Sequence, residues 1–273
     1  MKITFLGTGA AQGIPTPYCN CSTCMQARKF HGKNMRKRTS HIINDDLLVD
    51  MGPDLFSACA MHDVDLLNMK YTLITHSHLD HFFAQNLGMR TKGMRAQTEL
   101  PHLTLIAPSS VMTLLNAYGS TDEGMELTRH PIHPFDRVEL DKYTVKSIKA
   151  QHLQTVGDAV NYIIDDGERK ILIASDTAIY EEEVWPHLEN VNLDLVVMEC
   201  TRSISTKSSS VHLNIRDMQF MLGKMKAIQA INENTIVYAT HFSHQHCPPH
   251  EELSSALRQI GVQCAYDGLI VEI

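Results

Sequence analysis

The sequence predicts a mixed α/β fold in which β-sheets carry helices on their outer faces. Three observations carry that expectation. Short apolar runs of strand character recur along the whole chain. Asp-Gly turn signals at Asp166-Gly167 and Asp267-Gly268 join two pairs of them as hairpins. Other runs are separated by stretches of helical periodicity, which implies crossovers as well as hairpins.

In chain order the runs are 3–6, 47–50, 71–75, 103–107, 143–150, 159–164, 170–175, 193–199, 236–240 and 268–273. Each is rich in Val, Ile, Leu or Tyr and bounded by polar residues or glycine. Helices are expected at 79–88, 109–118, 180–189, 213–230 and 249–260. Gly7 and Gly9 follow the first run at once, so it reads as a strand and not as a secretory leader. No apolar stretch is long enough to cross a bilayer. A cytoplasmic, membrane-free protein is expected, and one domain over 1–273 suits a chain of 273 residues.

Net charge is −7, which disfavours a dedicated nucleic-acid binder. One basic cluster stands out: Arg28, Lys29, Lys33, Arg36, Lys37 and Arg38. It reads as a solvated helix face, with a phosphate-attracting rim as the sharper alternative. Three of seven cysteines, Cys19, Cys21 and Cys24, lie within six residues, too close to bridge one another well. In a reducing compartment that pattern points to a metal. Cys59, Cys200, Cys247 and Cys264 are scattered and read as small buried hydrophobes, and the methionines as core fillers.

The polar residues that end the strands carry the functional signal. The runs at 71–75, 143–150, 171–175, 193–198 and 236–240 lead into His76, His152, Asp176, Glu199 and His241. Sites in layered α/β folds gather at carboxyl ends of strands. The segment His76-Ser77-His78-Leu79-Asp80-His81 packs three imidazoles and a carboxylate together. Each would need a partner if buried, so a metal is the natural reason to assemble them. Four such groups are enough to begin two metal sites. His31, His102, His130 and His133 are expected to be ordinary.

The segment Thr75–His81 resembles the His-x-His-x-Asp-His signature of metallo-β-lactamase-fold hydrolases. Leu48-Val49-Asp50-Met51-Gly52 resembles that family's early structural aspartate motif, and His152, Ser175-Asp176-Thr177 and Thr240-His241 resemble its later stations, in order. The resemblance implies an αββα sandwich, with two mixed sheets face to face and helices outside. It implies one metal on His76, His78 and His152, a second on Asp80, His81 and His241, and Asp176 between them. Zinc, manganese or iron would suit such donors. Asp80 would orient the attacking hydroxide.

A narrower resemblance is to the phosphoribosyl 1,2-cyclic phosphate phosphodiesterases of the carbon–phosphorus lyase pathway. It rests on the run from Gly7 to Pro15, on Cys19-Asn20-Cys21-x-x-Cys24, on the run from Thr240 to Gln245, and on Tyr266-Asp267-Gly268. It implies a structural zinc on Cys19, Cys21, Cys24 and His244, in a small loop at about 15–30. Cys247 is a rival fourth ligand. It nominates His212 as the acid that protonates the leaving group. Arg90, which follows the helix expected after the signature, is a candidate for the substrate phosphate. The glycines of Gly7-Thr8-Gly9 would let backbone amides approach a ligand. One departure bears on pocket shape: Leu153-Gln154 follows His152 where that group carries a small residue.

A small, cyclic phosphodiester is therefore the expected substrate. A transfer-RNA 3′-processing endonuclease is the alternative, disfavoured by the acidic balance and the cysteine cluster. An ester, lactone or thioester hydrolase on the same scaffold is another, and a purely structural metal protein a fourth. A homodimer stays open.

Overall fold

The computed structural model of the protein describes every residue except Gln97, Ser120 and Gln154; the departure noted at Gln154 lies outside the described residues. Fourteen strands follow in chain order among the described residues: β1 (Lys2–Gly7), β2 (Ser40–Ile43), β3 (Leu47–Val49), β4 (Tyr71–Leu73), β5 (Leu103–Ala107), β6 (Leu127–Pro131), β7 (Arg137–Glu139), β8 (Thr144–Lys149), β9 (Val160–Asp165), β10 (Lys170–Ala174), β11 (Leu195–Glu199), β12 (Ile236–Thr240), β13 (Gln263–Cys264) and β14 (Ile270–Glu272). They form two mixed sheets of seven, in the orders β14-β1-β2-β3-β4-β5-β6 and β13-β12-β11-β10-β9-β8-β7. In the first sheet β14 through β3 pair antiparallel and β3 through β6 parallel. The second repeats that plan, antiparallel from β7 to β10 and parallel from β10 to β13.

Side-chain alternation explains the layers. Ile171 and Ile173 of β10, and Leu195 and Val197 of β11, face the first sheet and meet Phe5, Val49 and Leu73. Their neighbours Leu172, Ala174, Val196 and Met198 face outward and are covered by helices. In the first sheet, Leu6, Leu48 and Leu105 likewise face outward into a third core. Runs that are apolar on both faces are therefore strands of a sandwich covered on each side. Each fully buried Leu or Ile contributes roughly 1.5–3 kcal/mol relative to an exposed one.

The helices are α1 (Ser22–Phe30), α2 (Leu55–His62), α3 (Gln85–Gly88), α4 (Ser109–Tyr118), α5 (Asp122–Met125), α6 (Ile215–Ala227) and α7 (His250–Arg258). α4 ends at Gly119, whose φ of 86° is the left-handed conformation that closes helices. α6 is capped by the Asn214 side chain, which accepts from the Asp217 amide.

Four expectations are corrected. The stretch expected as a helix at 79–88 is helical only over α3, because the amide of Phe83 bonds Met51 and not the preceding turn. At 180–189 a 3₁₀ turn, Trp185–His187, replaces the helix, since Pro186 lacks the amide a longer helix needs. Asp267-Gly268 is not a hairpin turn: it carries the chain from β13 in one sheet to β14 in the other. The basic cluster is not one solvated face. Arg28 and Lys29 end α1, whereas Arg36 is buried against Thr8, the Ala265 carbonyl and the Phe242 ring.

Among the described residues no helix is long and apolar enough to cross a membrane.

Candidate metal centre

The parallel strands of both sheets end on the same edge of the sandwich. β4 delivers His76, β10 delivers Asp176, β11 delivers Glu199 and β12 delivers His241; the turn after β8 delivers His152. His76 to His81 form a turn pinned to the β3 edge through the Met51 amide, which donates to the His81 carbonyl. Six of the seven candidate ligands are buried, and His78 is the more open one.

The donors fall into two groups that share Asp176. In the first, His76 Nε2 lies 3.0 Å and His152 Nε2 3.1 Å from His78 Nδ1. Asp176 Oδ2 stands 3.4 Å from His152 Nε2 and 3.8 Å from His76 Nε2. In the second, His81 Nε2 and His241 Nε2 are 3.2 Å apart. Asp80 Oδ2 is 3.3 and 3.4 Å from those two atoms, and Asp176 Oδ1 is 3.5 and 2.9 Å from them. Four donors around a zinc-like ion at 2.0–2.1 Å sit about 3.4 Å from one another in a tetrahedron. Both groups match that edge length. Asp176 Oδ1 is also buried with no properly aligned hydrogen bond despite its 2.9 Å approach to His241. Lone pairs aimed at a common centre have that geometry, so the donor set fits two divalent cations.

The far side of each buried imidazole is held. His81 Nδ1 pairs with Asp50 at 2.7 Å, and Asp50 also accepts from the Thr75 amide and hydroxyl. His76 Nδ1 meets the Thr75 hydroxyl, His152 Nδ1 the Val211 carbonyl and His241 Nδ1 the Thr201 hydroxyl. Such outer contacts fix ring orientation and tautomer. Asp50 itself adopts a φ of 60°, a conformation that aspartate tolerates better than most residues.

Protons and carboxylates balance one another in the cluster. Burial disfavours charge on His81 and His241, but Asp80 and Asp176 prevail and raise both, His241 to about 10 and His81 with help from Asp50. Burial and the His81 charge hold His76 well below its ordinary value. Asp80 and Asp176 resist burial and stay far below the carboxylate range because His81 and His241 face them. Bound cations would take over the charge that those protons carry.

His212 lines the same cavity, its ring 4.9 Å from that of His152. Its Nδ1 lies 2.8 Å from Glu199, which leaves Nε2 as the nitrogen available to the cavity. Burial opposes protonation, but Glu199 and Asp176 raise His212 above its ordinary value. Glu199 is fully buried and accepts from the amides of Thr177 and Thr201. The roles of Glu199 and Thr201 were not legible beforehand; only the strand-end position of Glu199 hinted at one.

Arg90 does not reach the cavity. Its guanidinium donates to the carbonyls of Met125 and Pro101, on the outer face of the first sheet. The arginine that lines the cavity is Arg202, with His246 and Gln12. The backbone of Gly9 is engaged with Lys37, Arg38 and Phe242, in line with a structural use of those glycines.

Cys19, Cys21, Cys24 and His244 form a separate group. Cys21 Sγ lies 3.6 Å from His244 Nδ1, and the Cys21 amide donates to Cys19 Sγ. Cys21 stands at the N-cap of α1, where the helix favours thiolate, and Cys24 lies in the first turn, where burial pushes its thiol up to about 11. Burial opposes ionisation of Cys21, yet the His244 contact and local hydrogen bonds lower it to about 6. Cys247 is outside the group; it is buried beside Arg36 and Cys264. A Cys₃His set has the chemistry of a closed zinc site.

Residues 46–242 match the family described as the beta-lactamase superfamily domain. The chain belongs to that superfamily. Solved beta-lactamase superfamily folds resemble it end to end. A diphosphatase of the PhnP family superposes with a TM-score of 0.77 at 21% identity, over all of this chain and 96% of that one. Zinc-bound PqqB from Methylobacterium extorquens gives 0.76 at 16%, over all of both chains. The short form of human tRNase Z gives 0.68 at 17%, over all of this chain and 99% of that one. At these identities the likeness is one of fold. Among curated proteins, an octanoyltransferase from Porphyromonas gingivalis is 34% identical over 85 residues, 30% of this chain. The chain spans only 16% of that relative's length.

Proposed function

We propose that the protein is a dinuclear metal-dependent phosphodiesterase acting on small phosphodiesters, cyclic ones included. The observation that carries this reading is Asp176, whose two oxygens each complete one of two four-donor groups. His76, His78 and His152 would hold one cation, Asp80, His81 and His241 the other, with zinc, manganese or iron all suited to the donors. Such a pair supplies Lewis-acid stabilisation and a water acidified toward neutral pKa.

The chain's own residues provide the rest. Asp80 orients the attacking water. As its oxygen bonds to phosphorus and the ester P–O bond breaks, the departing alkoxide needs a proton. His212 supplies it from Nε2, steadied and kept protonated by Glu199. Arg202 replaces Arg90 as the cation for the phosphate oxygens. The cavity of about 250 Å³ shares Arg202, Gln245 and His246 with a neighbouring groove of about 660 Å³ that also holds Lys207. That layout supports a substrate with more than the scissile phosphate. The Cys₃His group would hold a structural zinc that ties the α1 loop to the loop bearing His241.

A substrate panel with metal analysis tests the reading. Turnover of bis-nitrophenyl phosphate, ribose 1,2-cyclic phosphate or 2′,3′-cyclic nucleotides is expected, with no turnover of aryl acetates or lactones. Cleavage of precursor transfer RNA without small-diester activity would instead place the protein with the endonucleases.

A further inference from the structure

We propose that the cavity on the outer face of the first sheet is a binding site for an aliphatic carboxylate, its chain in the cleft and its carboxylate on Arg95. The cavity measures about 310 Å³, and none of the His/Asp cluster lines it. Its walls include Leu55, Leu66, Met69, Leu87 and Leu103. A dry cavity of about 150 Å³ holds one benzene, so this one suits about a dozen non-hydrogen atoms. That is an aliphatic acid of roughly eight to ten carbons.

The polar end of the cavity decides the chemistry. The Arg95 side chain is 8% exposed. Its Nη2 donates to Glu126 at 2.7 Å, but Nε and Nη1 are buried and have no partner among the described residues. Arg90 lines the same cavity, and burial together with the Arg95 charge holds its pKa below the ordinary value. Lys92 approaches Glu126 as well, at 3.9 Å. Glu126 therefore faces three cations, and the surplus is positive. A neutral hydrocarbon would leave the Arg95 donors unpaired. An inorganic anion would leave the apolar walls in water. An anion with an apolar tail satisfies both, and charge-assisted hydrogen bonds to guanidinium are strong.

Calorimetric titration of the full chain with decanoate and with decanol, both below their aggregation limits, tests the assignment. Decanoate should bind about once per chain and at least about tenfold more tightly than decanol. Arg95→Met should abolish that preference while leaving decanol affinity unchanged. Leu66→Trp, which fills the cleft and keeps Arg95, should weaken both ligands; circular dichroism confirms that each variant is folded. Equal binding of acid and alcohol overturns the assignment, as does decanoate binding indifferent to both substitutions. A dimer in sedimentation velocity that takes up no decanoate overturns it too, since a second copy would then cover this face.

Discussion

The His/Asp cluster and the Cys₃His group are both built from metal-binding side chains, but the fold holds them in opposite ways. Donors of the first stand at strand ends, and Asp50, Thr75, Thr201 and the Val211 carbonyl fix its imidazoles from behind. Donors of the second come from a loop, the start of α1 and the turn after β12, and their contacts are largely with one another. The first geometry is imposed by two packed sheets. The second has few supports of its own, although Arg28 ties the Cys19 and Thr16 carbonyls and Thr23 ties the Cys247 carbonyl. Metal in the first should therefore matter to chemistry more than to folding, and metal in the second the reverse.

Substitutions can break that contrast. The largest effect is expected from Asp176→Ala, which removes the shared donor. Activity should fall roughly 10⁴-fold or more, with loss of cations from the His/Asp cluster by elemental analysis and an unchanged circular dichroism spectrum. Unfolding would show that the cluster also holds the fold together.

His212→Ala comes next. Diesters with alkyl leaving groups should lose about 10³-fold in kcat, within the range for a general acid. Nitrophenyl leaving groups need no proton and should lose far less. Loss of metal in this variant would mean that His212 is a ligand. Thr201→Val, which strips the outer contact from His241, should cost roughly 10- to 100-fold in metal affinity, read by competition with a chelating dye.

The smallest catalytic effect belongs to Cys21→Ser. It should release about one metal per chain and lower Tm by several degrees, while activity stays within about tenfold of the parent. The N-terminal loop keeps its backbone bonds between Ala10 and Phe242 and between Phe242 and Thr8, so the cavity wall should survive. A collapse of activity would make the two sites one functional unit.

How much was legible differs by residue. His76, His78, Asp80 and His81 announced themselves because four donors crowd six positions. His152, Asp176 and His241 could be read because each follows an apolar run, and runs in layered folds end on a common edge. Arg90 misled because its nearness to the signature is nearness in sequence only. The chain turns away after α3 and sends that side chain to the carbonyls of Pro101, before β5, and Met125, at the end of α5. Glu199 closes β11 as His241 closes β12, but its bond to His212 spans a loop whose path no local pattern encodes. Asp267-Gly268 showed a correct turn signal with the wrong partner, since a turn motif fixes local backbone and not the sheet that receives the next strand.

By itself the sequence determined the donors, the strand alternation and the three-cysteine loop, because composition, period and spacing are local properties. The tertiary structure brought Asp176 between two groups and His244, rather than Cys247, beside the thiols, as the family resemblance implied; it alone decided that Arg202 and not Arg90 meets the cavity. Those outcomes depend on how two sheets pack and where their loops cross, and contacts across 100 or more residues leave no trace in neighbouring letters.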